Sequence, residues 1–177
     1  MKKRNKKFGM MVTLLLAIGV LTACSPKVEE PVDDQNTDIE APIEVEGGAE
    51  NENDGTFETS LTLSEVTDVL NIQFTLSNPT AEEKTITYPS GQTFDYQIFN
   101  EAGENVYTWS ANKSFIQALS EVSLAADEDI VYEDQFDYKN MSGEAFGAGT
   151  YLLVFNTSFY LDEEMQTYVE TESFLIK

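Results

Sequence analysis

Hydrophobic and polar residues alternate along much of the chain beyond residue 56, most clearly between Asp68 and Ser77. In that stretch every second residue is apolar, and the residues between them are Asn, Gln, Thr and Ser. The apolar members are Leu70, Ile72, Phe74 and Leu76. A period of two places one set of side chains against a core and the other in water. The stretch therefore predicts a β-strand with one buried face.

Similar patterns recur over the following hundred or so residues, and turn-forming residues separate nearly all of them. The further predicted strands are residues 84–88, 93–99, 105–110, 129–136, 150–159 and 167–176. Before Asp68, the apolar residues Phe57, Leu61 and Leu63 also lie an even number of positions apart. Seven to eight short strands joined by turns predict an all-β domain, an immunoglobulin-like antiparallel β-sandwich. One exception is expected, because Ser114 to Gln117 fits a capping box and places Phe115, Ile116 and Leu119 on one face of a short helix.

The start of the chain has a different pattern, with five basic residues among the first seven and an apolar run from Phe8 to Leu21. The run is short for a spanning helix and ends on Leu21-Thr22-Ala23-Cys24. This is the lipobox pattern, and it resembles the signal peptides of bacterial lipoproteins. We expect residues 1–23 to be removed and Cys24 to carry fatty acyl (palmitate) chains. The alternative is an uncleaved signal anchor.

Cys24 is the only cysteine in the chain, so no intramolecular disulfide can hold the domain together. Two acyl chains hold a protein stably on a membrane, whereas one holds it only reversibly. We therefore expect a protein anchored in the cell membrane and facing the extracytoplasmic side.

Residues 24–55 are acidic, interrupted by proline and glycine, and free of aromatic residues. Low hydrophobicity combined with like charge does not favour a packed core. We interpret this segment as a disordered linker with a reach of roughly 30 Å. An acidic segment that recruits a basic partner or cations is the alternative. The folded domain is then predicted to span residues 56–177.

Charge excludes one class of partner. All 32 acidic residues lie after Cys24, together with only five of the ten basic ones, none of them arginine. Nucleic-acid binding requires clustered Lys and Arg, so we expect no nucleic-acid partner. The same charge repels anionic headgroups, which limits membrane contact to the acyl group.

Catalytic chemistry is poorly supported, and we predict neither catalytic residues nor a cofactor. The chain has no histidine, which excludes triads with an imidazole base, and a zinc site would lack its usual ligands. Paired acids for glycoside hydrolysis are a weak alternative, with candidates among Glu133, Asp134, Asp137 and residues 162–164. Calcium binding by residues 127–129 and 162–164 also stays open, although no EF-hand loop is present.

The middle of the predicted domain contains three specific elements in order: Ser90-Gly91-Gln92 followed by Asp95, then Trp109-Ser110, then Phe115-Ile116-Gln117-Ala118. These elements resemble the intracellular proteinase inhibitor family, the BsuPI domain, over roughly Leu70 to Phe155. The resemblance implies an immunoglobulin-like sandwich and inhibition of a subtilisin-type serine protease. The residues matching the family motifs are Asp95, Trp109, Ser110, Phe115 and Gln117.

The family is described as intracellular, whereas this leader predicts export, so the target is expected to be an exported protease or another envelope protein. If the domain inhibits, we expect a stiff loop that enters the protease cleft as an added strand. The candidates are the loop formed by Pro89, Ser90, Gly91, Gln92 and Thr93, and the hairpin Asn100 to Asn105. The alternative function is a non-inhibitory adhesion or structural module that binds a wall component or a partner protein.

Overall fold

In a computed structural model of the protein, the described residues are Ile43 and 49–177. The predicted signal peptide, Cys24 and most of the predicted linker lie outside them. All regular structure in the described part is β. The nine strands are β1 (Glu58–Val66), β2 (Val69–Ser77), β3 (Lys84–Tyr88), β4 (Asp95–Phe99), β5 (Asn105–Thr108), β6 (Ser120–Leu124), β7 (Asp129–Phe136), β8 (Gly149–Leu161) and β9 (Glu164–Ile176). None of residues 49–177 forms a helix of the length and apolarity needed to cross a membrane.

The strands form two antiparallel sheets, which confirms the predicted all-β sandwich. The smaller sheet has the order β1-β2-β7, with Phe74 of β2 opposite both Leu61 and Tyr132. The larger sheet contains the other six strands. The rings of Phe74 and Phe155 stack across the core with centroids 4.6 Å apart, so the apolar face predicted for β2 is the buried one.

The larger sheet is built around β8, which pairs along its whole length with β9. On its other side β8 pairs first with β4, through residues 152–156, and then with β3, through residues 160–161. The strands β4 and β3 therefore lie end to end along β8. Because β5 pairs with β4 and β6 pairs with β3, β5 and β6 also lie end to end and form the outer edge of the sheet.

Two predictions for this edge were wrong. The strand β6 was not expected, which raises the count to nine, and residues 114–119 form no helix. The carbonyl of Ile116 accepts a hydrogen bond from the backbone N–H of Gly91 at 2.8 Å, so it is not used within a helical turn. Ile116 and Leu119 are 78% and 70% exposed. Without a core surface to cover these two side chains, the amphipathic pattern has no packing to stabilise a helix.

The last residues of the predicted linker make specific contacts with β9. Glu52 and Thr167 exchange two backbone hydrogen bonds, of 3.0 and 2.6 Å. The side-chain amide of Asn51 accepts from the N–H of Val169 at 2.7 Å and donates to its carbonyl at 3.1 Å. This amide therefore replaces a peptide group of a neighbouring strand. The chain enters the domain along the edge of the sheet opposite β5 and β6.

Candidate protein-binding site

The candidate site lies where the outer edge of the larger sheet is interrupted. Residues 89–94, here called the β3–β4 loop, connect two strands that lie end to end along β8. Residues 109–119, here called the β5–β6 loop, connect the two strands of the next row. Both loops leave the sheet at the same level, so they lie side by side.

Asp95, the first residue of β4, ties the start of the β5–β6 loop to the sheet. One oxygen of its carboxylate accepts from the backbone N–H of Ser110 at 3.1 Å, and the other accepts from the Ser110 hydroxyl. The carboxylate also accepts from the N–H of Tyr96 at 2.9 Å. The motif residues Asp95 and Ser110, which the sequence places fifteen positions apart, thus form a single hydrogen-bonded unit.

Trp109 forms the centre of an aromatic stack beneath the two loops. Its backbone N–H donates to the carbonyl of Tyr96 at 2.9 Å. Its ring lies 4.3 Å from the ring of Phe94 and 5.7 Å from the ring of Phe115, centroid to centroid. The ammonium of Lys113 lies 3.8 Å from the Trp109 ring centroid, a cation–π distance. The half-buried Trp109 therefore joins the loops to the core, against which both Trp109 and Phe94 pack.

The β3–β4 loop, the first candidate partner-binding loop, is closely tied to the rest of the domain. Ser90 Oγ accepts from the N–H of Gln92 at 3.1 Å, and Thr157 Oγ1 donates to the carbonyl of Thr93 at 2.7 Å. At Gly91, a Cβ atom would lie 3.1 Å from Cγ1 of Ile116. Only Pro89 and Gly91 are exposed in residues 89–93. This loop therefore acts as a support against which the β5–β6 loop rests.

The longest free run of the β5–β6 loop is Gln117 to Leu119. On one side, Ile116 is held by the hydrogen bond from Gly91, and on the other, Ser120 pairs with Tyr88 at the start of β6. Within residues 49–177, the backbones of Gln117, Ala118 and Leu119 make no hydrogen bond, and all three residues are exposed. The family-motif residue Gln117 donates through its side chain only to the carbonyl of Phe115, at 3.2 Å.

Sequence reasoning missed this segment as a binding loop, although a charge signal marks it. No acidic residue occurs from Asn105 to Ser120, or from Lys84 to Phe94, in a chain with 32 acidic residues. These two acid-free stretches are the ones that the fold brings together. The two loops are therefore a neutral to weakly basic region of an acidic domain.

The second candidate loop, the hairpin Asn100 to Asn105, is a closed turn. The side-chain carbonyl oxygen of Asn100 accepts from the N–H groups of Ala102 and Glu104 at 3.0 and 2.9 Å. Gly103 has a φ of 75°, a conformation that glycine adopts without strain. With its own turn satisfying its backbone, this hairpin offers fewer free groups to a partner than residues 117–119 do.

The acidic alternatives receive little geometric support. Asp134 accepts a hydrogen bond from the hydroxyl of Tyr96 at 2.9 Å, and Asp137 pairs with Lys139 at 2.5 Å. Burial, and next the negative charge of Asp134, raise the pKa of Tyr96 well above its usual value. No three His, Cys, Asp or Glu side chains in the described residues come close enough together to hold a metal ion.

The fold and the edge define a class: a β-sandwich in which two loops lie side by side at one sheet edge. The sequence model of the BsuPI family, described as intracellular proteinase inhibitor, matches residues 57–158. The chain belongs to this family. The matched range includes both loops and every motif residue named above. No curated protein matches the sequence.

Solved structures give only remote similarity. An alkylpurine DNA glycosylase, AlkC, of Pseudomonas fluorescens is 13% identical, with a TM-score of 0.35 over 68% of this chain and 30% of that one. DesR, a β-glucosidase of Streptomyces venezuelae, is 14% identical, with a TM-score of 0.35 over 68% of this chain and 15% of that one. A protein of Archaeoglobus fulgidus is 14% identical, with a TM-score of 0.37 over 68% of this chain and 98% of that one. This chain thus spans less than a third of the first two proteins, and their activities carry no argument here.

Proposed function

We propose that this protein is a membrane-anchored inhibitor of an exported subtilisin-type serine protease, and that the β5–β6 loop enters the protease cleft. The family supports inhibition by protein binding rather than catalysis. The lipobox at Cys24 supports attachment to the extracytoplasmic face of the membrane.

One observation carries the choice of loop: the unpaired backbone of Gln117 to Leu119 lies between two ends that the sandwich holds in place. A protease cleft binds its substrate as an added strand, through main-chain hydrogen bonds. A segment whose ends are fixed beforehand loses less conformational entropy on binding than a flexible peptide does. The aromatic stack on Trp109 adds to this rigidity, which favours tight binding with slow cleavage.

The position of the tether fits the same function. Asn51 and Glu52 run along β9, whereas the β5–β6 loop lies at the opposite edge of the same sheet. A linker that leaves the domain along β9 leaves the loop edge open to a protein partner.

The alternative is a non-inhibitory module that binds a wall component or another envelope protein. A shallow groove of about 570 Å³ on the outer face of the smaller sheet favours it, because most of its lining residues carry hydroxyl, amide or carboxylate groups. The lining includes Thr62, Ser64, Asn71, Gln73, Glu133 and Gln135. Such groups suit a hydroxyl-rich polymer better than an apolar partner.

A titration separates the two functions. The full chain, purified in detergent, is added to a panel of subtilisin-type proteases, and the hydrolysis of a peptide substrate is followed. Inhibition at nanomolar concentration, with the protein recovered intact by mass spectrometry, supports the proposal. A chain that none of the proteases binds, and that sediments with purified wall material, would support the alternative instead.

A further inference from the structure

We propose that Leu119 is the residue that enters the primary specificity pocket of the target protease, and that this pocket is large and apolar. The inference rests on the inhibitory function proposed above, and it adds the identity of the contact residue and the class of partner.

The exposure of Leu119 is the first argument. Its side chain is 70% exposed, whereas most leucines in the strands of the larger sheet are buried or half-buried. A single exposed leucine is not informative by itself. Here, however, it lies in the longest run of the loop whose backbone makes no hydrogen bond within residues 49–177.

The register gives the second argument. Continued beyond Tyr88 and Ser120, the β3–β6 pairing would place Gly91 opposite Gln117, but Gly91 donates its hydrogen bond to Ile116 instead. The chain therefore leaves the ladder between Ile116 and Ser120. Gln117, Ala118 and Leu119 are the residues released. A cleft that binds an added strand takes the residues before the bond under attack, and the last of them fills the primary pocket. With Ser120 held by Tyr88, that last free residue is Leu119.

The neighbouring side chains are less suitable for the pocket. Phe115 is stacked on Trp109, and the ammonium of Lys113 lies over the ring of Trp109. Ile116 is exposed, but its carbonyl is already bound by Gly91. We assign Ile116 to a secondary apolar contact three residues before Leu119.

The chemistry of the segment defines the partner. Gln117, Ala118, Leu119 and Ser120 carry no charge, and no acidic residue occurs anywhere from Asn105 to Ser120. A protease whose primary pocket contains a carboxylate selects a basic residue, and this segment offers none. An apolar pocket matches the leucine, so the expected target cleaves after large aliphatic or aromatic residues.

The test compares Leu119→Lys and Leu119→Met in the full chain, each in detergent. Leu119→Lys should raise the inhibition constant against a protease with an apolar primary pocket by about 100-fold or more, the size of a hot-spot loss. Leu119→Met conserves the volume of the side chain, so its inhibition constant should stay within about threefold of the wild-type value. The lysine variant should also begin to inhibit a protease whose pocket contains a carboxylate.

The matched control is Leu175→Lys, which places the same charge on an exposed leucine of β9, at the opposite edge of the sheet. The inhibition constant of Leu175→Lys should equal that of the wild type. If the wild type inhibits and Leu119→Lys inhibits equally well, the assignment of Leu119 is wrong while the proposed function stands. If Leu119→Lys and Leu175→Lys lose inhibition to the same extent, the effect is one of overall charge and the assignment is again wrong. If the wild type inhibits no protease in the panel, the proposed function fails and this inference fails with it.

Discussion

Replacing Asp95 with alanine should destabilise the domain, because it removes the carboxylate that holds the start of the β5–β6 loop. Two hydrogen bonds join this carboxylate to Ser110, one to the backbone N–H and one to the hydroxyl. A hydrogen bond to a charged group contributes about 1.5–3 kcal/mol. Asp95 is only half-buried, so the lower value applies to each bond, and the expected loss is about 3 kcal/mol.

The bond to the N–H of Tyr96 is left out of this sum, because adjacent residues can form it in the unfolded chain as well. Asp95→Asn keeps an acceptor oxygen for the N–H of Ser110 and an amide that can donate to the hydroxyl. Its cost should therefore be about 1 kcal/mol, the value of one neutral hydrogen bond.

Urea unfolding, followed by the fluorescence of Trp109, measures this loss. Trp109 is the only tryptophan in the chain and lies directly before Ser110, so the signal reports on the region that is changed. The midpoint should fall while the slope of the transition stays constant. Asp137→Ala is the matched control, because Asp137 makes an exposed ion pair with Lys139, and such pairs contribute little. An Asp95→Ala protein as stable as the Asp137→Ala protein would refute the reasoning.

Three further predictions concern the loop support, the buried tyrosines and the anchor. Gly91→Val should weaken protease inhibition by about tenfold with little change in stability, because its side chain would displace Ile116 and loosen the loop; an unchanged inhibition constant would contradict the proposed support. Burial raises the pKa of Tyr88 and of Tyr96, so the folded state keeps both phenols protonated, and stability is full below pH 10 and falls as the pH rises above it. Tyrosinate absorbance should therefore reach its full value only with loss of the native Trp fluorescence, and complete ionisation of a folded protein would exclude this account. The wild type should incorporate labelled palmitate in cells, whereas Cys24→Ser should not; equal labelling of both would rule out acylation at this thiol.

Much of the fold could be predicted from the sequence, because the information that specifies a half-buried strand is local. The alternation in Asp68 to Ser77 directly determines which face of β2 is buried, and the structure has the strand at Val69–Ser77. The predicted strands at 93–99 and 105–110 are confirmed at their centres but shorter at one end each. Phe94 and Trp109, which lie just beyond these two strand ends, pack against each other with ring centroids 4.3 Å apart.

The candidate site was less accessible to sequence reasoning. The motif residues could be named, but the pairing of Asp95 with Ser110 and the contact of Gly91 with Ile116 connect positions that are distant along the chain. The strand β6 has only two inward apolar residues, Val122 and Leu124, which is too short a pattern to identify. The capping-box pattern at Ser114 was also misleading, since it describes a helix start without saying whether a core exists to cover the helix.

What the sequence determined by itself is therefore the set of strands, the acidic character of the domain, and the two acid-free stretches that carry the family motifs. These depend on the spacing and type of neighbouring residues. Only the tertiary structure decided that the acid-free stretches lie side by side at a free sheet edge, and that Gln117 to Leu119 is the longest run left unpaired. The physical reason is that strand order and register depend on long-range hydrogen bonds and on competition for the core, and neither is encoded in a local pattern.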